Sequence, residues 1–331
     1  MGDSEGYLPN SQTVEHHEET EAHLPENETV ISAAGCGEYG VFPTAPYRSN
    51  APVVLMIMEK GEDFYAQRGR YRNVPQPEAH GGYTAVVQML LAHGLDMNTQ
   101  DSNAFHAAAS RGDSAMVQVL LDHGADINGP GGDYGNALQA AAYHGDAVVV
   151  RMLLDKGADV NVRGGPYGNA LQAAARNTDI TVLQILLESG ANVNACGGQY
   201  GYTLQAAAMK GTVAAVQLLL DYGADINAQG GKYCNALHGA SRCCHVAVIQ
   251  LLLANGADIN ADCGKYGSAL QAAAYIGEPA VVRILLENGA DPNSQGGEYG
   301  SALEAAIAER EHEIVEILLQ AGARVNNVEQ E

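Results

Sequence analysis

The chain has 331 residues, 46% of them hydrophobic, with 39 acidic against 17 basic side chains and a formal net charge of −22. That apolar content is enough to bury a continuous core, while so negative a field repels phosphate backbones and anionic lipid, which excludes direct nucleic-acid and membrane-surface binding. The longest apolar run near the front, Val53 to Met58, is far shorter than the ~18 residues a spanning helix needs.

Residues 1–30 hold eight carboxylates (Asp3, Glu5, Glu15, Glu18, Glu19, Glu21, Glu26, Glu28) and no lysine or arginine. Too few apolar groups are present to offset ordering entropy, so a disordered acidic tail is predicted. His16, His17 and His23 sit among these glutamates, but a flexible tail offers a metal no preformed geometry. The start, Met1-Gly2-Asp3-Ser4-Glu5, is acidic with no apolar stretch behind it, which predicts no secretory leader. Six cysteines lack a framework spacing, and Cys243 and Cys244 are adjacent, which suits reduced thiols. An intracellular protein is expected, cytoplasmic or nuclear.

From residue 31 onward the chain repeats itself. Gly-Ala-Asp or a close variant starts at Gly124, Gly157, Gly190, Gly223, Gly256, Gly289 and Gly322, each 33 residues after the last. A period of this size means a solenoid, in which each unit packs only on its neighbours. Residues 31–98 read as two degenerate copies: Gly61 and Gly94 keep the 33-residue register, but Pro43, Pro46, Pro75 and Pro77 stand where a first helix should run. Proline there removes a hydrogen bond and clashes with the preceding turn, so these copies are expected to be helical mainly in their second half. Residues 99–327 hold seven further copies, the first three residues short, and residues 328–331 form a tail. The last copy is charged (Glu304, Glu309, Arg310, Glu311, Glu313, Glu316), as the solvated end of a solenoid requires.

One intact copy predicts helix, turn, helix and finger. Ala137 to Tyr143 is a short alanine-rich helix, Gly145 suits a left-handed turn, and Asp146 caps the next helix. That second helix, to Lys156, carries Val149, Val150, Leu153 and Leu154 at helical spacing, and Gly157 ends it. The finger Gly131-Gly132-Asp133-Tyr134-Gly135 and its copies connect successive units.

These residues resemble the ankyrin repeat family over roughly residues 37–327: the 33-residue period, the Val-x-x-Leu-Leu-x-x-Gly-Ala-Asp-x-Asn ending, and an Ala-Ala helix entered through a small-residue turn. One departure is that the family's Thr-Pro-Leu-His is replaced by Asn136-Ala137-Leu138-Gln139 and its copies, a variant similar to arrays common in filamentous fungi. The resemblance implies an all-α solenoid of about nine helix-turn-helix units joined by β-hairpin-like fingers, binding protein partners through its concave face and fingers.

Candidate binding residues lie in those fingers. Tyr134, Tyr167, Tyr200, Tyr233, Tyr266 and Tyr299 form a ladder, which either offers rigid contact area to a partner or packs finger on finger. The preceding residue varies (Asp133, Pro166, Gln199, Lys232, Lys265, Glu298), so the tips are expected to set specificity, with Lys232 and Lys265 a basic spot on an acidic protein. Gln139, Gln172, Gln205 and Gln271 are expected to bond finger backbone between repeats. Asn128, Asn161, Asn194, Asn227, Asn260 and Asn293 read as turn residues tolerant of left-handed geometry. Cys234, His238, Cys243, Cys244 and His245 suggest zinc, but a helix separates Cys234 from Cys243 and no metal is expected.

No phosphate loop, nucleophile elbow or His-Glu-x-x-His occurs, so no catalysis and no cofactor are expected. The expected function is a monomeric protein-interaction scaffold or adaptor whose partner carries a basic segment. Two alternatives stay open: a nuclear co-regulator acting through a bound transcription factor, and the sensor fragment of a larger signalling ATPase.

Overall fold

A computed structural model describes Gln88, residues 104–263 and residues 267–325. These fall within one compact unit, Ala45–Glu331. The predicted acidic tail and nearly all of the two proline-bearing copies lie outside the described residues, as do Lys265 and Tyr266. Fourteen helices are described, in seven pairs, with no strand among the described residues. They are α1 (Ala104–Ser110), α2 (Ser114–Asp122), α3 (Ala137–His144), α4 (Ala147–Asp155), α5 (Ala170–Ala174), α6 (Thr181–Glu188) and α7 (Thr203–Lys210). The rest are α8 (Val213–Asp221), α9 (Ala236–Arg242), α10 (Val246–Ala254), α11 (Ala269–Ile276), α12 (Pro279–Glu287), α13 (Ala302–Glu309) and α14 (His312–Gln320).

Each pair packs internally, and each first helix packs on the first helix of the next repeat. Alanine makes this possible. Ala137, Ala140, Ala141 and Ala142 of α3 and their counterparts Ala170, Ala173, Ala174 and Ala175 are fully buried, with no side chain to hold the backbones apart. The second helices bury larger residues at i, i+1 and i+4, as with Val149, Val150 and Leu153, and Val281, Val282 and Leu285. Truncating one such leucine would cost about 2–5 kcal/mol, because the close-packed stack cannot collapse into the space.

The caps follow from the sequence in detail. Asn136 Oδ1 accepts from the Gln139 N–H at 2.8 Å, and Asn169, Asn235, Ser268 and Ser301 repeat this N-cap on their own first helices. Asp146 Oδ1 accepts from the Val149 N–H at 2.8 Å, as predicted. After each second helix the chain closes as after Leu153, where the Ala158 N–H reaches the Leu153 carbonyl at 2.9 Å.

The turn between paired helices requires a left-handed residue: Gly145 has φ 79°, Gly211 80° and Gly277 88°. Cys244 and Arg310 take the same conformation with φ 60° and 64°, in spite of their Cβ atoms. Thr178 stands at this position in the repeat of α5, and a β-branched residue resists it most. There the helix stops early at Ala174, and Asn177 Nδ2 instead donates to the Ala142 and Tyr143 carbonyls of the preceding repeat. Cys244→Gly is therefore expected to stabilise the protein by about 1 kcal/mol, read as a higher denaturant midpoint; an unchanged midpoint would mean the turn carries no strain.

Candidate functional site

The finger is built around glycine. Gly131 N–H donates to the Gly135 carbonyl at 2.9 Å, closing a five-residue loop, and the same bond recurs from Gly164, Gly197, Gly230 and Gly296. Four of these loops make an isolated antiparallel bridge, the extent of their hairpin character. Consecutive fingers also bond to each other at the tips, where Gln199 N–H donates to the Pro166 carbonyl and Lys232 N–H to the Gln199 carbonyl, both at 3.1 Å.

Two rows of side-chain amides tie the fingers to the helices behind them. Gln172 is completely buried, and its Nε2 donates to the Ala195 and Gly201 carbonyls of the next repeat at 3.2 and 3.0 Å. Gln205 and Gln271 likewise donate to two or more carbonyls of the next repeat and Gln139 to the Val162 carbonyl, which is the inter-repeat role predicted for this row. The asparagine row stands in turns, as predicted, although none of its members is left-handed, and it also reaches across repeats. Asn161 Oδ1 accepts from the Asn192 N–H at 2.8 Å and its Nδ2 donates to the Gly190 carbonyl at 3.1 Å, so one amide grips two points of the next repeat. Asn194, Asn227, Asn260 and Asn293 make the same double grip, and Asn128 accepts from the Asp159 N–H.

The tyrosines stack. Ring centroids of Tyr134, Tyr167, Tyr200 and Tyr233 follow one another at 6.3, 6.5 and 6.4 Å, inclined by 16°, 10° and 17°. A second row, one helix in, packs against them: Tyr143 lies 4.7 Å from Tyr134 and 4.9 Å from Tyr167, and Tyr275 lies 5.3 Å from Tyr299. At its centre Arg176 places its guanidinium 5.8, 5.6 and 5.5 Å from the rings of Tyr143, Tyr167 and Tyr200 and hydrogen-bonds the Tyr200 hydroxyl. Arg242 lies over Tyr275 at 5.5 Å, in the equivalent place two repeats on. These arginines had no part in the sequence reading; the signal was their position, 33 and 99 residues after Tyr143.

The predicted tip residues Asp133, Gln199, Lys232 and Glu298 are all exposed, as is Tyr299, whereas Tyr134, Tyr167 and Tyr233 are half-buried and Tyr200 is buried. Lys232 lays its ammonium 5.7 Å from the Tyr233 ring. Between the fingers at Tyr233 and Tyr299 lies a cavity of about 330 Å³, lined by Lys232, Arg242 and His238 on one side and by Tyr275 and Glu298 on the other. Arg176, Lys232 and Arg242 thus each lie against a tyrosine ring.

The cysteine reading needs correction. Cys234 and Cys263, expected as reduced thiols, form a disulfide. Their separation of 29 residues belongs to no framework pattern, and only the stacking of one finger on the next brings them together. Cys234 is thereby removed from the suggested zinc cluster, and His245 Nε2 bonds the Met209 carbonyl at 2.8 Å instead. Among the described residues no three histidine, cysteine or carboxylate side chains gather where a metal could be held.

Stacked helix pairs, each joined to the next by a glycine finger, define a solenoid repeat protein. A family model described as ankyrin repeats, in three copies, matches residues 78–164, 171–263 and 237–329, and the chain belongs to the ankyrin repeat family. Repeats of this family are generally protein–protein interaction modules. No curated protein matches the chain. No described helix is long and apolar enough to cross a membrane.

Gln172→Leu leaves the Ala195 carbonyl without its Gln172 donor and the Gly201 carbonyl with the Gly197 N–H alone, and is expected to cost about 2 kcal/mol, against almost nothing for Gln184→Ala on the exposed face of α6, both read by denaturant titration. Burial, and then the Tyr143 hydroxyl, push Tyr167 up to about 12, while burial and the Glu309 carboxylate push Tyr299 up to about 12. Both folded values lie above the unfolded value near 10, so their contribution to stability is complete below pH ~10 and is lost as pH rises through about 12. Ultraviolet phenolate absorbance should show these two rings ionising late; their ionisation at the ordinary tyrosine pH near 10 would contradict the contacts described.

Proposed function

We propose that the chain is a non-catalytic scaffold or adaptor that holds a protein partner against its concave face and finger tips. The observation that carries this reading is the contrast within the fingers. Their backbones are alike and tied to one another, while Asp133, Pro166, Gln199, Lys232 and Glu298 differ from finger to finger and all face solvent. A rigid frame presenting unlike side chains in fixed order is what selective binding of an extended protein surface needs, because little ordering entropy opposes the contact. The stacked rings behind the tips supply stiffness, and their partly exposed edges add apolar contact area.

The net charge of −22 favours a partner with a basic segment, and a monomer that keeps its own copies apart. Residence inside the cell, in cytoplasm or nucleus, fits a binding module of this charge. The narrower roles, co-regulator of a transcription factor or sensor part of a signalling ATPase, differ in which partner would be captured.

The test is affinity capture from native lysate followed by binding measurement on the captured partner. The variant carries Asp133→Ala, Gln199→Ala, Lys232→Ala and Glu298→Ala, all at exposed tips that hold no helix in place. We expect unchanged thermal stability and at least tenfold weaker binding. A partner bound equally by both proteins would move the interface away from the fingers.

A further inference from the structure

Consecutive fingers touch through glycine. A Cβ placed on Gly135 would lie 2.9 Å from the Gly165 nitrogen; on Gly168, 2.6 Å from Gly197 and Gly198; on Gly201, 2.7 Å from the Gly230 carbonyl carbon. No side chain fits on the last finger residue or on the second of the next, where a Cβ on Gly165, Gly198 or Gly231 would lie 2.2–2.4 Å from backbone, whereas the first, Gly164, Gly197 or Gly230, meets no backbone closer than 3.4 Å; all three places are normally glycine. At one junction the rule is broken on both sides at once. Cys234 stands where Gly135, Gly168 and Gly201 stand, and Cys263 stands where Gly131, Gly164, Gly197 and Gly230 stand. At the Cys234 place a side chain would meet the facing backbone, at 2.6–2.9 Å on the equivalent glycines, while the Cys263 place is open. Two of them, with Cα atoms 5.5 Å apart, replace the glycine contact by a covalent one.

The rest of the finger is preserved around the bond. The Gly230 N–H still reaches the Cys234 carbonyl at 2.7 Å, Gln205 Nε2 donates to that same carbonyl, and Asn235 Nδ2 donates to Cys263 Sγ at 3.5 Å. Cys234 holds φ 62°, a left-handed conformation taken elsewhere at this place by glycine. The pair is almost fully covered, with 8% and 9% of each residue exposed.

We propose that Cys234 and Cys263 form a reversible thiol–disulfide site that locks or releases the finger carrying Lys232 and Tyr233. In the oxidised state the bond holds two sulfurs in a gap whose Cys234 side otherwise admits no side chain. A dithiol reductant opens it by thiolate attack on one sulfur, giving a mixed disulfide; the reductant's second thiol then displaces that bond, leaving two protein thiols and an oxidised cyclic reductant. Oxidised glutathione reverses the exchange, accepting the two electrons and leaving as two reduced molecules. Once unbonded, the two sulfurs move apart to van der Waals distance, and the tight side is that of Cys234, where a Cβ on the equivalent Gly168 or Gly201 already meets backbone at 2.6 or 2.7 Å. The finger 230–235 is then the part that yields, losing the Lys232 N–H bond to the Gln199 carbonyl and the stacking of Tyr233 on Tyr200. This site is independent of whether the finger tips are the partner surface.

The test uses the full chain, oxidised with glutathione disulfide or reduced with dithiothreitol. Denatured oxidised protein should show two fewer free thiols than the denatured reduced protein. Digestion with trypsin and an aspartate-specific protease separates Cys263 from Cys243 and Cys244 and should recover the Cys234–Cys263 crosslink. Hydrogen exchange at Gly230 and Lys232 should accelerate at least tenfold on reduction, while the finger 197–201 stays unchanged. The double variant Cys234→Gly with Cys263→Gly restores the glycine contact, so its finger should be protected and indifferent to reductant. Six free thiols after oxidation, or equal exchange in the two redox states, would overturn the proposal.

Discussion

Close approach between repeats is the constraint on which everything else in this structure depends. A helix pair of this size cannot bury its own apolar face, and it becomes a core only when the next pair lies against it. The first helices meet through alanine, and the fingers meet through glycine with less room than a methyl group needs. From that spacing follow the reach of the glutamines, the double grip of the asparagines and the 6.3–6.5 Å interval of the tyrosine rings.

Function follows from what this frame leaves free. Each finger closes on itself through its own backbone bond, and neighbouring fingers add bonds at Pro166, Gln199 and Lys232. What remains at the tips is side chain, and there the repeats stop copying one another. Asp133, Gln199, Lys232 and Glu298 set unlike charges at successive points of a stiff edge. Arg176 and Arg242, held over the rings, place a guanidinium behind that edge in two of the repeats.

The helices, their order and the turns were legible in the sequence because they depend on local spacing repeated many times. Asp146 as a cap, Gly145 as a turn and the glutamine row as a bridge all follow from one unit and its copies. What escaped was whatever depends on two units at once. Asn161 looks like no more than a turn residue until the next repeat is placed beside it, and Arg176 looks like surface charge until three rings surround it. Cys234 and Cys263 escaped for the same reason: 29 residues is meaningful only as one finger facing the next. At the site, the tips were readable from their variation, whereas the burial of Tyr200 depends on Arg176 and its flanking rings.

The asparagine row has a mechanical corollary. From Asn161 onward each amide binds the next repeat at two backbone points, with Asn293 reaching Gly322 and Arg324 at the far end. A pull along the stack therefore loads these rungs in series, every one bearing the same tension. A peel from the end loads them singly, so the array resists stretching as a unit yet detaches repeat by repeat.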